Sequence, residues 1–395
     1  MRHIVKGQLI SVAAFIVAVW LCGISFGQQT FSGIHGQLSV KGAHIVDKNG
    51  TILQLHGMSM YGWTSTCGYD FYNASAINHL AQDWHCTAIR MPYQPNGSIA
   101  MSAIDTVIEA CIANGIYVIV DWHDGSMNCL SPAPASAFFK TIATSYHSYP
   151  NIMYEPWNEP TCDWSTVIKP YMETVIGVIR AIDSSNIVIC GNPAWDQQPQ
   201  VAAANPIKDF KNIAYSMHYY AASYPVASFG TGITTAMNAG CAIFITEYGT
   251  CANSGGAPIN LAESAAWYSF LDKNKIGSTS WGVECKDVGG AACFTQSAST
   301  TGPWPSSVMT TEGAFVENYI DTSYQGLTVG VLPNGQKLQQ HANVAAIKGL
   351  LTGAGTKASI YTINGVRCSA GSKLPSGLYI VRDPGNSAVT SLMMR

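Results

Sequence analysis

The stretch SAIDTVIEACIANGIYVIVDWH, residues 102–123, contains the repeating unit of this chain. A helix-like segment, Ser102 to Asn114, leads into a short run rich in β-branched residues, 116–123, which ends on a histidine,. Similar runs occur as ILQLHG (52–57), TAIRMP (87–92), NIMYE (151–155), NIVICG (186–191), NIAYSMHYY (212–220), AIFITEYG (242–249) and IGSTSWG (276–282), making eight in all. Further helix-like stretches, such as Val167 to Ile182 and Leu261 to Asn274, separate most of them. Strand–helix alternation implies a parallel sheet, and eight units of this size predict an α/β fold, a closed (β/α)8 TIM barrel. A doubly wound open sheet is the alternative. No Gly-rich phosphate loop follows any run, which weakens the nucleotide-binding versions of that fold.

Outward from the repeat, the chain reads as separate parts. Residues 38–57, LSVKGAHIVDKNGTILQLHG, predict a small hairpin followed by a strand, with Asn49-Gly50 as the turn,. The barrel domain is expected over 28–320, since the alternation stops near Ile320. Residues 321–355 read as a linker, and 356–395 as a small β module. Within the module, ASIYTINGVRCSAGSKLPSGLYIVRD (358–383) suggests two or three strands joined by turns at Asn364-Gly365 and Pro375-Ser376-Gly377.

The first 27 residues have the features of an export signal,. Arg2, His3 and Lys6 form a basic start, and Leu9 to Leu21 is apolar but short for a membrane span. Ser25 and Gly27 supply small residues before a cleavage site ahead of Gln28. A lipoprotein signal would use Cys22, but the bulky residues Val19 to Leu21 before it fit that signal poorly. No other stretch is long and apolar enough to span a bilayer. A secreted or cell-surface location is therefore expected.

Composition narrows the partners. Charged residues are 11% of the chain and the net charge is −3, against about 25% charged in ordinary domains. Nothing there favours nucleic acid or an acidic membrane as partner. A surface rich in amides and hydroxyls suits a neutral polar ligand. Of the twelve cysteines, Cys22 leaves with the signal and eleven remain. They lack paired C-x-x-C spacing, which argues against zinc. In an oxidising compartment some should pair. Cys285 with Cys293, across a short Gly-rich loop, is the first expectation, and Cys129 with Cys162 the second.

In a barrel, chemistry collects at the C-terminal strand ends. Read in order, those ends carry Arg90, His123, Asn158 with Glu159, His218 with Tyr220, Glu247 and Trp281. A lone strand-end histidine or arginine is usually a satisfied core group, but a polar or aromatic residue at nearly every end points to a site. Two of these residues are carboxylates, on the fourth and seventh runs. Such a pair suits glycoside hydrolysis, with one protonating the leaving oxygen and the other attacking or activating water. The retaining route brings the two carboxyl groups to about 5–5.5 Å. In strand spacing Glu155, Trp157 and Glu159 share one face, with Glu155 about two pleats deeper. Glu155 is therefore expected to be a buried structural acceptor and Glu159 to reach the mouth.

With these residues in hand, the chain resembles glycoside hydrolase family 5, the retaining β-glycanases, and within it the endo-β-1,4-glucanases. The resemblance covers roughly residues 37–320. YEPWNEP resembles the family's Asn-Glu-Pro segment, which implies Glu159 as acid/base. ITEYGT resembles its nucleophile strand, which implies Glu247. AIRMP supplies Arg90, DWH supplies His123, HYY supplies His218 and Tyr220, and SW supplies Trp281. Asn158 is implied as the partner of the sugar 2-hydroxyl. SWGVECKD places Lys286 where such enzymes bind a glucosyl unit, and NPAWDQ places Trp195 where they stack a sugar. HGMSMYGW resembles the first strand but carries Tyr61 where a histidine is common, a departure that bears on the distal minus-side sugar.

The implied reaction is a double displacement with Arg90 and the Tyr220 hydroxyl stabilising an ionised Glu247. It needs no metal or other cofactor. DWHDG could suggest a metal cluster, but no His-x-His partner accompanies it. The implied partner is a β-glucan polysaccharide. A β-mannanase or another β-glucanase of the family shares the catalytic set, and a non-catalytic carbohydrate-binding barrel would need neither glutamate. The tail lines IYTINGVR and LPSGLYIVR resemble the C-terminal sorting domain of the type IX secretion system of Bacteroidetes, which implies bacterial secretion machinery as a partner. The alternative is an accessory carbohydrate-binding module. Tyr361 and Tyr379 without a tryptophan make a poor stacking platform for that role,.

Overall fold

A computed structural model describes residues 30–62, 67–97, 99–124, 131–286 and 290–324, and the backbone of 359–362, 367–368, 377–382 and 389–394. The expected signal, its cleavage site and most of the expected linker lie outside these residues. No helix among the described residues is long and apolar enough to cross a membrane.

A hairpin of β1 (Ser39–Lys41) and β2 (His44–Val46) precedes eight strands. These are β3 (His56–Met60), β4 (Ala88–Tyr93), β5 (Tyr117–Trp122), β6 (Ile152–Glu155), β7 (Ile187–Cys190), β8 (Ile213–Tyr220), β9 (Ala242–Gly249) and β10 (Ser278–Val283). Each is parallel to the next, and β10 pairs with β3 to close the barrel. The closed parallel barrel is the expected fold.

Two local expectations are corrected. The hairpin turns at Gly42-Ala43, while Asn49-Gly50 forms a second turn that returns the chain to a bridge between Val46 and Ile52. The first barrel strand begins at His56, four residues after the expected start. Leu53 and Leu55 instead pack in the floor of the barrel with Phe31, Leu38, Tyr117 and Phe244. Pairing starts where the His56 N–H donates to Thr87 Oγ1 at 2.8 Å. At Gly57 the next strand is so close that a Cβ would fall 1.7 Å from the Ala88 carbonyl oxygen.

The floor is sealed by the N-terminal segment. Tyr117 donates to the Gly36 carbonyl at 2.7 Å, Asn151 to Ser32 Oγ at 3.0 Å, and the Val40 N–H to Asn212 Oδ1 at 3.0 Å. Those partners sit at the starts of β5, β6 and β8, so the C-terminal ends of the strands remain for function. The strands are buried on both faces, as expected of a parallel barrel under helices,. The helix Met101–Asn114 stops at Gly115, whose left-handed backbone (φ 63°) lets its N–H reach the carbonyls of Cys111 and Ile112,. Leu261–Asn274 forms as expected, while the expected 167–182 helix is Lys169–Arg180 after a wider turn at Trp164–Ile168.

The last helix of this region, Thr311–Ser323, extends slightly past the expected end of the pattern. Beyond it, Ser359–Thr362, Arg367–Cys368, Gly377–Arg382 and Val389–Met394 form a four-stranded antiparallel sheet, against the two or three strands expected. The turns expected in that region lie outside the described residues.

The cysteine pairing is also corrected. Cys285 bonds to Cys67, not to Cys293. Barrel closure brings the loop after β10 beside the loop after β3, and the Cys285 N–H donates to the Cys67 carbonyl at 3.2 Å. Across the Gly-rich loop, Phe294 stands opposite Cys285. Neighbouring residues of an extended chain point to opposite faces, so Cys293 turns inward as a buried free thiol. Cys162 is disulfide-bonded, and Cys129, its expected partner, lies outside the described residues.

Candidate active site

The site is organised around Arg90, which β4 delivers fully buried. Its Nε donates to Glu155 Oε2 at 2.7 Å and its Nη2 to Glu155 Oε1 at 3.3 Å. Nη2 also donates to Asn158 Oδ1 at 2.7 Å and lies 2.8 Å from Asp121 Oδ2. Nη1 donates to Glu247 Oε2 at 2.9 Å. One guanidinium thus binds residues of β5, β6, β9 and the loop after β6. A buried ion needs such saturation, because an unpaired one carries a large desolvation cost.

The carboxylates around Arg90 differ in their proton affinity. Burial raises the Glu155 pKa, but Arg90, through two contacts, and the nearby His218 outweigh this and hold it at about 2. Burial raises Asp121 as well. It has a single contact with Arg90 and the negative Glu155 and Glu247 nearby, so it stays well above the usual range. His123 is held at about 3 by burial and by Arg90. It is therefore neutral, with Nδ1 hydrogen-bonded to Asp121 Oδ2 at 2.7 Å, and its ring stacks on Trp281 at 5.5 Å.

On the opposite wall, β8 carries His218 and Tyr220, two residues apart on one face. The Tyr220 hydroxyl donates to Glu247 Oε1 at 2.6 Å. Burial and that carboxylate hold it well above the ordinary phenol range. Both oxygens of Glu247 are therefore engaged, one by Arg90 and one by Tyr220. His218 Nδ1 lies 3.0 Å from Glu159 Oε1, and Nε2 lies 2.8 Å from Thr246 Oγ1. Burial disfavours charge on this ring, but the surrounding carboxylates of Glu247, Asp196, Glu155 and Glu159 outweigh it, so its pKa is raised.

The spacing that placed Glu155, Trp157 and Glu159 on one face is corrected. The strand stops at Glu155, and the fully buried Trp157 packs against Tyr171 at 4.4 Å. Glu159 stands on the following loop with a left-handed backbone, φ 52°. Its side chain is 28% exposed, against 6% for Glu247, so it is the carboxylate that faces the open mouth. One oxygen of Glu159, one of Glu247 and a nitrogen of His218 all lie within 4.8 Å of one another.

The remaining expected residues lie around this centre. Trp281 meets Tyr61 edge-on at 5.4 Å. The Lys286 ammonium sits 5.1 Å from the centre of the Tyr61 ring and 2.8 Å from Glu284 Oε2. The Cys67–Cys285 bond ties together the two loops that follow Tyr61 and precede Lys286. Trp195, 43% exposed, projects from the loop after β7. Two further residues, Asp121 and Asp196, are fully buried beside the expected set. Asp121 was detectable, because it stands two residues before His123 on the same strand face. Asp196, next to Trp195, gave no periodic signal.

A family model for cellulase (glycosyl hydrolase family 5) matches residues 46–287. The chain belongs to glycoside hydrolase family 5. It is 35% identical over 329 residues to an endoglucanase of Clostridium saccharobutylicum, spanning 80% of this chain and 72% of that one. It is 36% identical over 249 residues to Endoglucanase Z of Dickeya dadantii, spanning 61% of this chain and 57% of the relative. Among solved structures, the catalytic domain of Thermobifida fusca endoglucanase Cel5A aligns with a TM-score of 0.67 at 29% identity, covering 73% of this chain and 98% of that one. A chain from Cytophaga hutchinsonii aligns with a TM-score of 0.70 at 35% identity, covering 75% and 97%. The protein is a glycoside hydrolase.

Glu155 also has a stability consequence. Its native pKa of about 2 lies below its ordinary 4.5. The carboxylate therefore contributes fully above about pH 4.5, and the contribution is lost as pH falls through about 2. Glu155→Gln leaves Arg90 short of a buried anion and should destabilise the fold by about 3–5 kcal/mol at pH 7. The deficit should shrink towards pH 2. Urea midpoints for both proteins at pH 3 and pH 7 test this, and equal midpoints at pH 7 contradict it.

Proposed function

We propose that this family 5 protein is a secreted, retaining endo-β-1,4-glucanase that cleaves cellulose or related β-glucans with Glu159 and Glu247. One observation carries the reading: the two carboxylates approach within 4.8 Å at the barrel mouth. That separation suits a nucleophile, whereas an inverting pair stands about 6.5–9.5 Å apart to admit a water. The endoglucanase names of the relatives support the β-1,4-glucan substrate.

In this reading Glu247 attacks the anomeric carbon. Arg90 and the Tyr220 hydroxyl hold one oxygen each and aim it,. Glu159, hydrogen-bonded to His218, donates its proton to the leaving glycosidic oxygen,. Once Glu247 is esterified its charge is gone, and Glu159 then takes a proton from the incoming water. Hydrolysis of the glycosyl ester restores Glu247 and leaves the original anomeric configuration. Asn158 bonds the sugar 2-hydroxyl. Trp281, backed by His123, stacks the sugar next to the cleavage point. Tyr61 and Lys286 meet a more distant sugar on the same side, and Trp195 stacks another.

Glu159→Gln and Glu247→Gln should each lower kcat about a thousandfold or more with the fold intact. A reducing-sugar assay on carboxymethylcellulose, β-glucan, mannan and xylan reads both activity and substrate. Near-native turnover by either variant contradicts the pair, and preference for mannan contradicts the substrate.

We further propose that the tail after about residue 355 is a sorting module rather than a sugar-binding one. The two tail lines that resemble the sorting domain, with the antiparallel sheet there, support this. Removing the tail should leave kcat on soluble β-glucan unchanged and strand the protein in the periplasm of a host with that secretion system. Normal secretion of the truncated chain, with activity lost only on insoluble cellulose, contradicts it.

A further inference from the structure

Asp196 is fully buried, yet no step of the reaction above uses it. It closes a turn, Pro193–Asp196, in which Ala194, Trp195 and Asp196 all have left-handed backbones, with φ of 58°, 59° and 60°. Non-glycine residues seldom adopt this conformation, and three in succession persist only where surrounding contacts hold them. Those contacts lead to the segment bearing Glu159. Asp196 Oδ2 accepts the Glu159 N–H at 3.0 Å, and the Trp195 N–H donates to the Pro160 carbonyl at 3.3 Å. Asp196 Oδ1 accepts the Asn192 N–H, and Asn192 is anchored to the Ser216 carbonyl on β8 at 2.7 Å.

The close approach requires space at Gly191. A Cβ there would lie 2.9 Å from Asp196 Oδ1 and 2.4 Å from the Trp157 carbonyl oxygen. The titratable groups facing Asp196 are His218 from β8, with Nε2 at 3.6 Å, Glu155 from β6, and Cys190 from β7. Burial raises the Asp196 carboxyl to about 7, opposed by His218 and reinforced by Glu155.

We propose that Asp196 is a positioning residue for the acid/base: it holds the left-handed backbone at Glu159 and thereby aims that carboxyl at the leaving oxygen. This rests on the reading of Glu159 as the acid. It also joins Trp195, on the same turn, to the geometry of proton transfer. Sub-ångström placement matters here, because proton donation needs hydrogen-bond reach to the leaving oxygen.

The test uses the leaving group. A dinitrophenyl β-cellobioside departs without a proton, whereas a cello-oligosaccharide needs one. The full-length protein, Asp196→Asn, Asp196→Ser and Glu159→Gln are compared by kcat/KM on both substrates, with thermal midpoints to confirm folding. Both Asp196 variants should lose about 10- to 100-fold on the oligosaccharide and less than about threefold on the activated glycoside, a smaller version of the Glu159→Gln pattern. Equal losses on both substrates, or no loss on either, with Glu159→Gln still selective, overturn the proposal. If Glu159→Gln itself shows no selectivity, the acid assignment fails and the proposal fails with it. Serine keeps one hydroxyl acceptor and removes the carboxyl bulk, so it serves if asparagine does not fold.

Discussion

The ion cluster around Arg90 is the constraint on which the site depends. A fully buried guanidinium must be surrounded by acceptors, and here Asp121, Glu155, Asn158 and Glu247 surround it. Those acceptors come from separate strands and from the loop after β6, so satisfying the charge also fixes where each strand end sits. Glu247 is positioned by the contact that neutralises part of the cluster. Tyr220 then engages its second oxygen from β8. Removing Glu155, which holds the guanidinium through two contacts, leaves buried charge uncompensated, which couples the stability of the barrel mouth to its chemistry,.

The two carboxylates reach the mouth by different means. Glu247 lies within β9, where the register shifts against both β8 and β10, and is almost enclosed. Glu159 lies beyond the end of its strand and depends on a turn from the next unit, through Asp196, for its backbone conformation. The rim of the mouth is tied differently again. Cys67 and Cys285 join the loops bearing Tyr61 and Lys286, which are adjacent only because β10 closes on β3. A barrel strand, a side-chain clasp and a covalent bond thus hold three parts of one site.

Much of this was legible in the sequence, because the local signals were strong. β-branched runs ending in Arg90, His123, His218 with Tyr220, Glu247 and Trp281 identified both the strands and the residues at the mouth. The misses share a cause, since each depends on contacts distant in sequence. ILQL at 52–55 has the composition of a strand, but the floor of the barrel takes its leucines and pairing starts only at His56. Period-two spacing carried Glu159 onto the face of Glu155, because nothing local showed that Asp196 would hold a left-handed backbone there. Cys293 is near Cys285 along the chain, whereas barrel closure chose Cys67. Asp121 could have been recognised from its spacing to His123.

The most direct measurement is the configuration of the first-formed product. Attack by Glu247 followed by attack of water inverts the anomeric carbon twice. Proton NMR of a cello-oligosaccharide digest, recorded before mutarotation, should show the β anomer of the new reducing end appearing first. If the α anomer appears first, water attacks directly, and Glu247 is not a covalent nucleophile.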